Sequence, residues 1–238
     1  MSGGFEKDAS IEIALVNLWK SRPDSPRRRV REHGKKFSRL TGYLADFQRE
    51  GDKNWRKRYA AFKENGSLPV SGKNIPWDPR ERSPYEAIEN LPYSQSYSSL
   101  YPATIAGIKA WLEQDPAALV AAGDFAESWL TKYYGGKTDS IDWNGRVVAD
   151  RTLALVFVYS LGCLNGFDFY FMNRLRIAII HTARLLASDA FHSRKQSSRY
   201  SISGVARDLA LLIAAVALGT SRKAVAGKAR RWPGQTGH

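Results

Sequence analysis

From Ala103 onward this chain is one apolar helical pattern after another. The segments are TIAGIKAWLEQ, AALVAAGDFAESWLTKYY, RVVADRTLALVFVYSLGCL, MNRLRIAIIHTARLLASDAF and VARDLALLIAAVALG. Apolar residues recur every three to four positions, and two-residue alternation never holds for long. Short or moderate connections separate the segments. Such a chain can bury its stripes only by packing helix on helix, so the expected fold class is all-α, an array of antiparallel helical hairpins. No fixed-period repeat of the solenoid families is present. The longest apolar stretch, LALLIAAVALG, is well short of the ~18 residues a membrane span needs, so a buried helix is expected there and no membrane span.

The first hundred residues are more varied. ASIEIALVNLWK, residues 9–20, has helical apolar spacing. SRPDSPRRRVREHGKK, residues 21–36, carries two prolines and an Arg triplet and reads as a loop or mobile linker, either a solvated connector or a polyanion-binding arm. Phe37, Leu40, Tyr43, Leu44 and Phe47 then form an apolar stripe, and Trp55, Tyr59 and Phe62 repeat it on a second short helix. Basic residues interleave with these aromatics. Rings facing a core with Lys and Arg outside is the preferred reading, against a nucleic-acid stacking platform. Residues 65–102 hold Pro69, Pro76, Pro79, Pro84, Pro92 and Pro102, which exclude a long helix. A long ordered loop is expected there, with Trp77, Tyr85, Tyr93, Tyr97 and Tyr101 as flat faces that stack on sugars or bases or pack the loop down.

The net charge of +13 is unevenly placed. Residues 20–63 hold 15 Lys/Arg against 5 Asp/Glu, whereas residues 64–170 hold 8 against 13. Residues 171–219 hold 7 against 2, and the tail from Thr220 holds 5 with no acid. This pattern attracts polyanions, which include nucleic acid, anionic lipid and acidic polysaccharide. The single cysteine, Cys163, excludes an internal disulfide and a cysteine-rich metal site, and its apolar neighbours predict an inert core thiol. No zinc, phosphate-loop or dinucleotide motif is present, so no cofactor is expected. The acidic start lacks the pattern of a signal peptide, so export by the usual route is not expected. The expected organisation is a helix and basic linker over 1–36, a helical domain over 37–219, and a basic disordered tail over 220–238.

Several residues over about 75–219, with the Asn74 that precedes them, carry a resemblance. Asn74-Ile75-Pro76-Trp77 precedes the helices. DWNGRVVADRTLALVFVY, residues 142–159, places Trp143 ahead of Ala149-x-Arg151 at the opening of a helix. His181 lies within RLRIAIIHTARLL, and Gly204 opens a helix with Asp208, Leu209 and Leu211. In order and spacing this resembles the N-terminal domain of the heparinase II/III-like polysaccharide lyases. The resemblance implies an incomplete α/α toroid around a substrate groove and an ancestral β-elimination of uronate glycans without a redox cofactor. It also implies a setting outside the cytoplasm and acidic polysaccharide as the partner.

The family's Asn-His pair falls here on Ile202-Ser203, within RYSISGVARDLALLIAAVALG. A proton alpha to a carboxylate leaves only if the developing charge is stabilised and a base lies within reach. Ile202 does neither, and Ser203 is a poor base without a partner. The later helices and β-sandwich of the family are absent from this sequence. The chain is therefore expected to bind without catalysing alone. His192 and Tyr200 are the nearest substitutes for catalytic groups, and Tyr200 stands beside Arg199, which would lower its pKa. Trp77, Trp143, Arg146, Arg151 and Arg199 are the candidate glycan contacts. Arg151 either pins a carboxylate bidentately or pairs with Asp150 or Asp142. His181 reads as a satisfied packing histidine or as a site residue. Two alternatives remain open. One is a nucleic-acid-binding module using 20–63 and 220–238. The other is a structural fragment whose exposed apolar helix faces need a partner chain or a second copy.

Overall fold

The structure is a computed structural model, and it describes residues 26–70, 73–76, 96, 98–132, 145–188 and 202–219. The chain divides into Met1–Lys36 and Phe37–His238. Among the described residues are seven helices and one short hairpin, so the all-α expectation holds at the level of class.

Helix α1 spans Pro26–Gly51. The PRRRVREHGKK part of the expected linker is therefore helical. The reason is local: Pro26 stands at the first position, where its missing N–H and fixed φ suit a helix start. No proline follows, Arg, Glu and Lys are good helix formers, and only Gly34 opposes them. From Phe37 on, α1 buries Phe37, Leu40, Thr41, Leu44 and Ala45. Tyr43 and Phe47, expected in that stripe, instead stand exposed at 49% and 41%. At 100° per residue, Thr41 and Ala45 turn the centre of the buried face toward Phe37 and away from Leu40, which leaves Tyr43 about 125° and Phe47 about 85° from that centre.

Helix α2, Trp55–Asn65, follows a tight turn in which the Asp52 carboxylate accepts from the Asn54 N–H at 3.1 Å. Trp55 and Tyr59 are buried, and Phe62 sets its ring edge-on to Phe125 at 5.1 Å. Gly66, with φ of 57°, closes the helix in the left-handed conformation that glycine adopts at least cost. Two four-residue strands, β1 (Ser67–Val70) and β2 (Lys73–Pro76), then pair antiparallel with Ser67 opposite Pro76 and Val70 opposite Lys73. Part of the expected loop is thus a hairpin.

Helices α3 (Tyr101–Glu113), α4 (Pro116–Lys132), α5 (Gly145–Asn165), α6 (Phe169–Ala187) and α7 (Ile202–Leu218) realise the five apolar segments. Their starts are built by side chains. The Asp115 carboxylate accepts from the N–H groups of Ala117 and Ala118 at 2.9 and 3.1 Å, opening α4. Asp168 accepts from Phe171 N–H at 3.0 Å and opens α6 three residues ahead of the expected Met172. Helix α5 is central and packs against α3, α4, α6 and α7. By length and composition α5 could cross a membrane, but 78% of its apolar window is buried inside the fold, as befits a core helix.

Close approach depends on small residues. A Cβ at Gly107 of α3 would lie 2.9 Å from the Phe157 ring on α5, and one at Gly162 would lie 2.5 Å from Met172 Sδ. Buried hydroxyls are satisfied within their own helices: Thr152 donates to the Val148 carbonyl at 2.7 Å and Thr182 to that of Ala178 at 3.0 Å. One such group ties α1 to the centre. Thr41 donates to Ser160 Oγ at 2.9 Å, and Ser160 donates to the Phe157 carbonyl at 2.8 Å.

Candidate binding surfaces

Arg151 is the largest fully buried side chain in the core. It donates from Nη1 to the Ser98 carbonyl at 3.1 Å, and its guanidinium lies 4.8 Å from the centre of the Trp129 ring. These contacts place a cation on an aromatic face in a buried site, where that attraction is stronger than at the surface. Both are contacts with the protein itself, joining α4, α5 and the residues ahead of α3. Asp150 engages a different partner. Arg146, exposed and one turn earlier, donates from Nε at 2.7 Å to the half-buried Asp150 carboxylate. Burial pushes the Asp150 carboxyl above its ordinary range, against the pull of Arg146. Arg146 and Arg151 therefore leave the same helix in different directions, one to the surface and one to the core.

Of the other sequence candidates, Trp77, Trp143, His192, Arg199 and Tyr200 lie outside the described residues. Ile202 and Ser203 fall in the first turn of α7, and His181 is half-buried on α6. Among the described residues, no group of three or more His, Cys, Asp and Glu is gathered as a metal site would require. Cys163 corrects an expectation: it is exposed, not a core thiol. The buried run of α5 ends at Gly162, and the next residue turns away from the packed side. Burial, followed by the nearby Cys163, pushes the Tyr159 hydroxyl up to about 12.

Much of the positive charge of α2 is tied down. Arg56 donates to Glu113 at 3.0 Å and lies 4.9 Å from the centre of the Trp55 ring. Arg58 faces Asp52 at 3.4 Å and covers the Tyr101 ring at 5.6 Å. Tyr101 also donates to Asp52, and burial together with that carboxylate pushes its hydroxyl well above the ordinary range. Lys109 binds Glu113, faces Asp115 at 3.6 Å and covers Tyr59 at 5.3 Å. This network fastens α2 to α3 and the start of α4. It leaves Lys53 and Lys57 on the exposed side.

Helix α1 differs. Residues 26–36 hold six Lys/Arg against one Glu, with no acid in the first turn. Cations in the first turn oppose the helix dipole, which offsets part of the helix propensity of Arg and Lys, and the segment gains charge density. On the Phe37–His238 side, Tyr43 and Phe47 lie nearly parallel, 6.3 Å apart with 15° between ring planes. Two exposed aromatic faces one helical turn apart form a surface that the stripe pattern had assigned to the core. The signal was available in the small residues Thr41 and Ala45, which share the face of Phe37, Leu40 and Leu44.

No family of known proteins, no curated protein and no solved structure matches this chain.

Proposed function

We propose that the chain is a helical binding module for an acidic polysaccharide, built as an incomplete lyase-like toroid of helical hairpins and lacking the lyase reaction. The observation that carries this reading is the basic part of α1, six Lys/Arg against one Glu over 26–36 in a helical segment. A linear anionic polymer is the partner that such a charge density concentrates, because it releases counterions along its length. Support for a sugar polymer comes separately from the exposed Tyr43 and Phe47 faces. Such rings offer the flat apolar area on which sugar rings stack. The absence of catalysis rests on Ile202 and Ser203, which supply neither a carboxylate-neutralising amide nor a base. Arg151, fully buried, acts in this reading as a scaffold residue.

The test is direct competition. The chain is titrated with a uronate-containing polysaccharide, a neutral polysaccharide and duplex DNA at matched salt. The acidic polysaccharide should bind, the neutral one should not, and DNA should fail to displace the first. Replacing Arg27, Arg28 and Arg29 together by Ala should weaken binding roughly tenfold or more and flatten its salt dependence. No ultraviolet absorbance of an unsaturated uronate should develop. Tighter binding of DNA would favour the nucleic-acid module. Indifference of binding to the Arg replacements would remove the reading.

A further inference from the structure

Helix α7 is apolar on both of its sides. Its inner face buries Ala210, Leu211, Ile213, Ala214 and Ala217. Its outer face carries Val205, Leu212 and Val216, exposed at 62%, 49% and 43%, with Leu209 partly packed between them. At 100° per residue these four side chains fall within an arc of about 60°. A surface helix normally turns polar residues outward, and one that is apolar all round is covered by something.

The stripe itself says what fits it. Its spacing of four, three and four residues is the seam of two helices packed at a shallow angle. It also reads the same in both directions, Val-Leu-Leu-Val. A two-fold interface requires one patch to complement itself. An antiparallel pair of α7 helices meets that requirement, with Val205 against the second copy's Val216 and Leu209 against its Leu212. Charge permits the approach despite the overall +13. The stripe carries no ionised group, and the adjacent Arg207 and Asp208 face each other at 3.6 Å within one copy. Among the described residues of α7, the seam brings no like charges together.

We propose that the outer face of α7 is the docking surface for a second copy of this chain, paired antiparallel about a two-fold axis between Leu209 and Leu212. Eight aliphatic side chains form a small interface, so the dimer is concentration-dependent and not obligate.

Sedimentation of the full chain over a wide concentration range should show a monomer–dimer equilibrium. Leu212→Glu should raise the dimer dissociation constant at least tenfold, because a carboxylate then enters an apolar seam. Its thermal midpoint as a monomer should not move, since Leu212 faces outward. Orientation is tested by cross-linking in a Cys163→Ser background. Val205→Cys and Val216→Cys should form a mixed disulfide when the two variants are combined. Neither should cross-link to itself, because an antiparallel pair holds like positions about 16 Å apart along the axis. A monomer at every concentration would overturn the proposal and assign the face to a different occupant. A dimer unaffected by Leu212→Glu, or self-cross-linking of Val205→Cys, would overturn it as well.

Discussion

The contact between α3 and α5 can be tested with one methyl group. Gly107 lies inside α3, and a Cβ placed on it would stand 2.9 and 3.1 Å from two atoms of the Phe157 ring and 3.3 Å from Leu161 Cδ1. Phe157 is itself fully buried. Its ring cannot retreat without pressing on the rest of the core, which is packed like a molecular crystal. Gly107→Ala therefore combines two opposed terms. Replacing a helical glycine by alanine stabilises by about 1 kcal/mol. Overpacking a core costs about 1–3 kcal/mol. The clash wins, for a net loss of about 1 kcal/mol. Gly42 of α1 isolates the first term, since a Cβ there would meet Trp111 at an ordinary 3.7 Å. Gly42→Ala should gain about 1 kcal/mol. The two variants then differ by about 2 kcal/mol, or roughly 4–8 °C in midpoint for a domain of this size. Thermal and denaturant unfolding of both, beside the parent chain, measure this. If Gly107→Ala is stabilised as much as Gly42→Ala, then α3 does not approach α5 closely and the packing described for the core is mistaken.

Thr41→Val removes the donor to Ser160 while keeping shape, and should cost about 1 kcal/mol in urea unfolding. A double-mutant cycle with Ser160→Ala should recover most of that as coupling. The Lys109 ammonium and the Arg56 guanidinium hold Glu113 below the ordinary carboxylate range, and the N–H groups of Ala118 and Ala117 hold Asp115 there too. Depressed folded-state values mean stability that is present above the unfolded pKa of about 4 and lost as pH falls through the folded values. Thermal midpoints should accordingly drop on acidification below about pH 4, and Glu113→Gln with Asp115→Asn should flatten that fall. Cys163 should react with a thiol reagent in the native protein at a rate that added denaturant barely changes, because it is already exposed.

Helical periodicity identifies which residues share a face, and it located the five helices α3 to α7 because each carries a dense apolar pattern. It does not say which face finds a neighbour. On α1, Phe37, Leu40 and Leu44 met the core, whereas Tyr43 and Phe47 from the same nominal stripe did not. On α7 the inner aliphatics and the outer Val205, Leu212 and Val216 are equally apolar, and only packing separates them. Cys163 shows the same limit at the end of α5, where one residue's rotation exchanges core for solvent. Charge behaves likewise. The arginines of α2 and those at the start of α1 read alike in sequence, but Arg56 and Arg58 are neutralised by Glu113 and Asp52, from outside α2. A count over residues 20–63 therefore overstates what α2 offers a polyanion, and the densest excess in the sequence lies at 26–36, with six cations against one acid. That difference makes the Arg27, Arg28 and Arg29 replacement a sharper test than any change in α2. Losing Arg56 or Arg58 would loosen the joint between α2 and α3 as well as remove charge, and weakened binding could then arise from either cause.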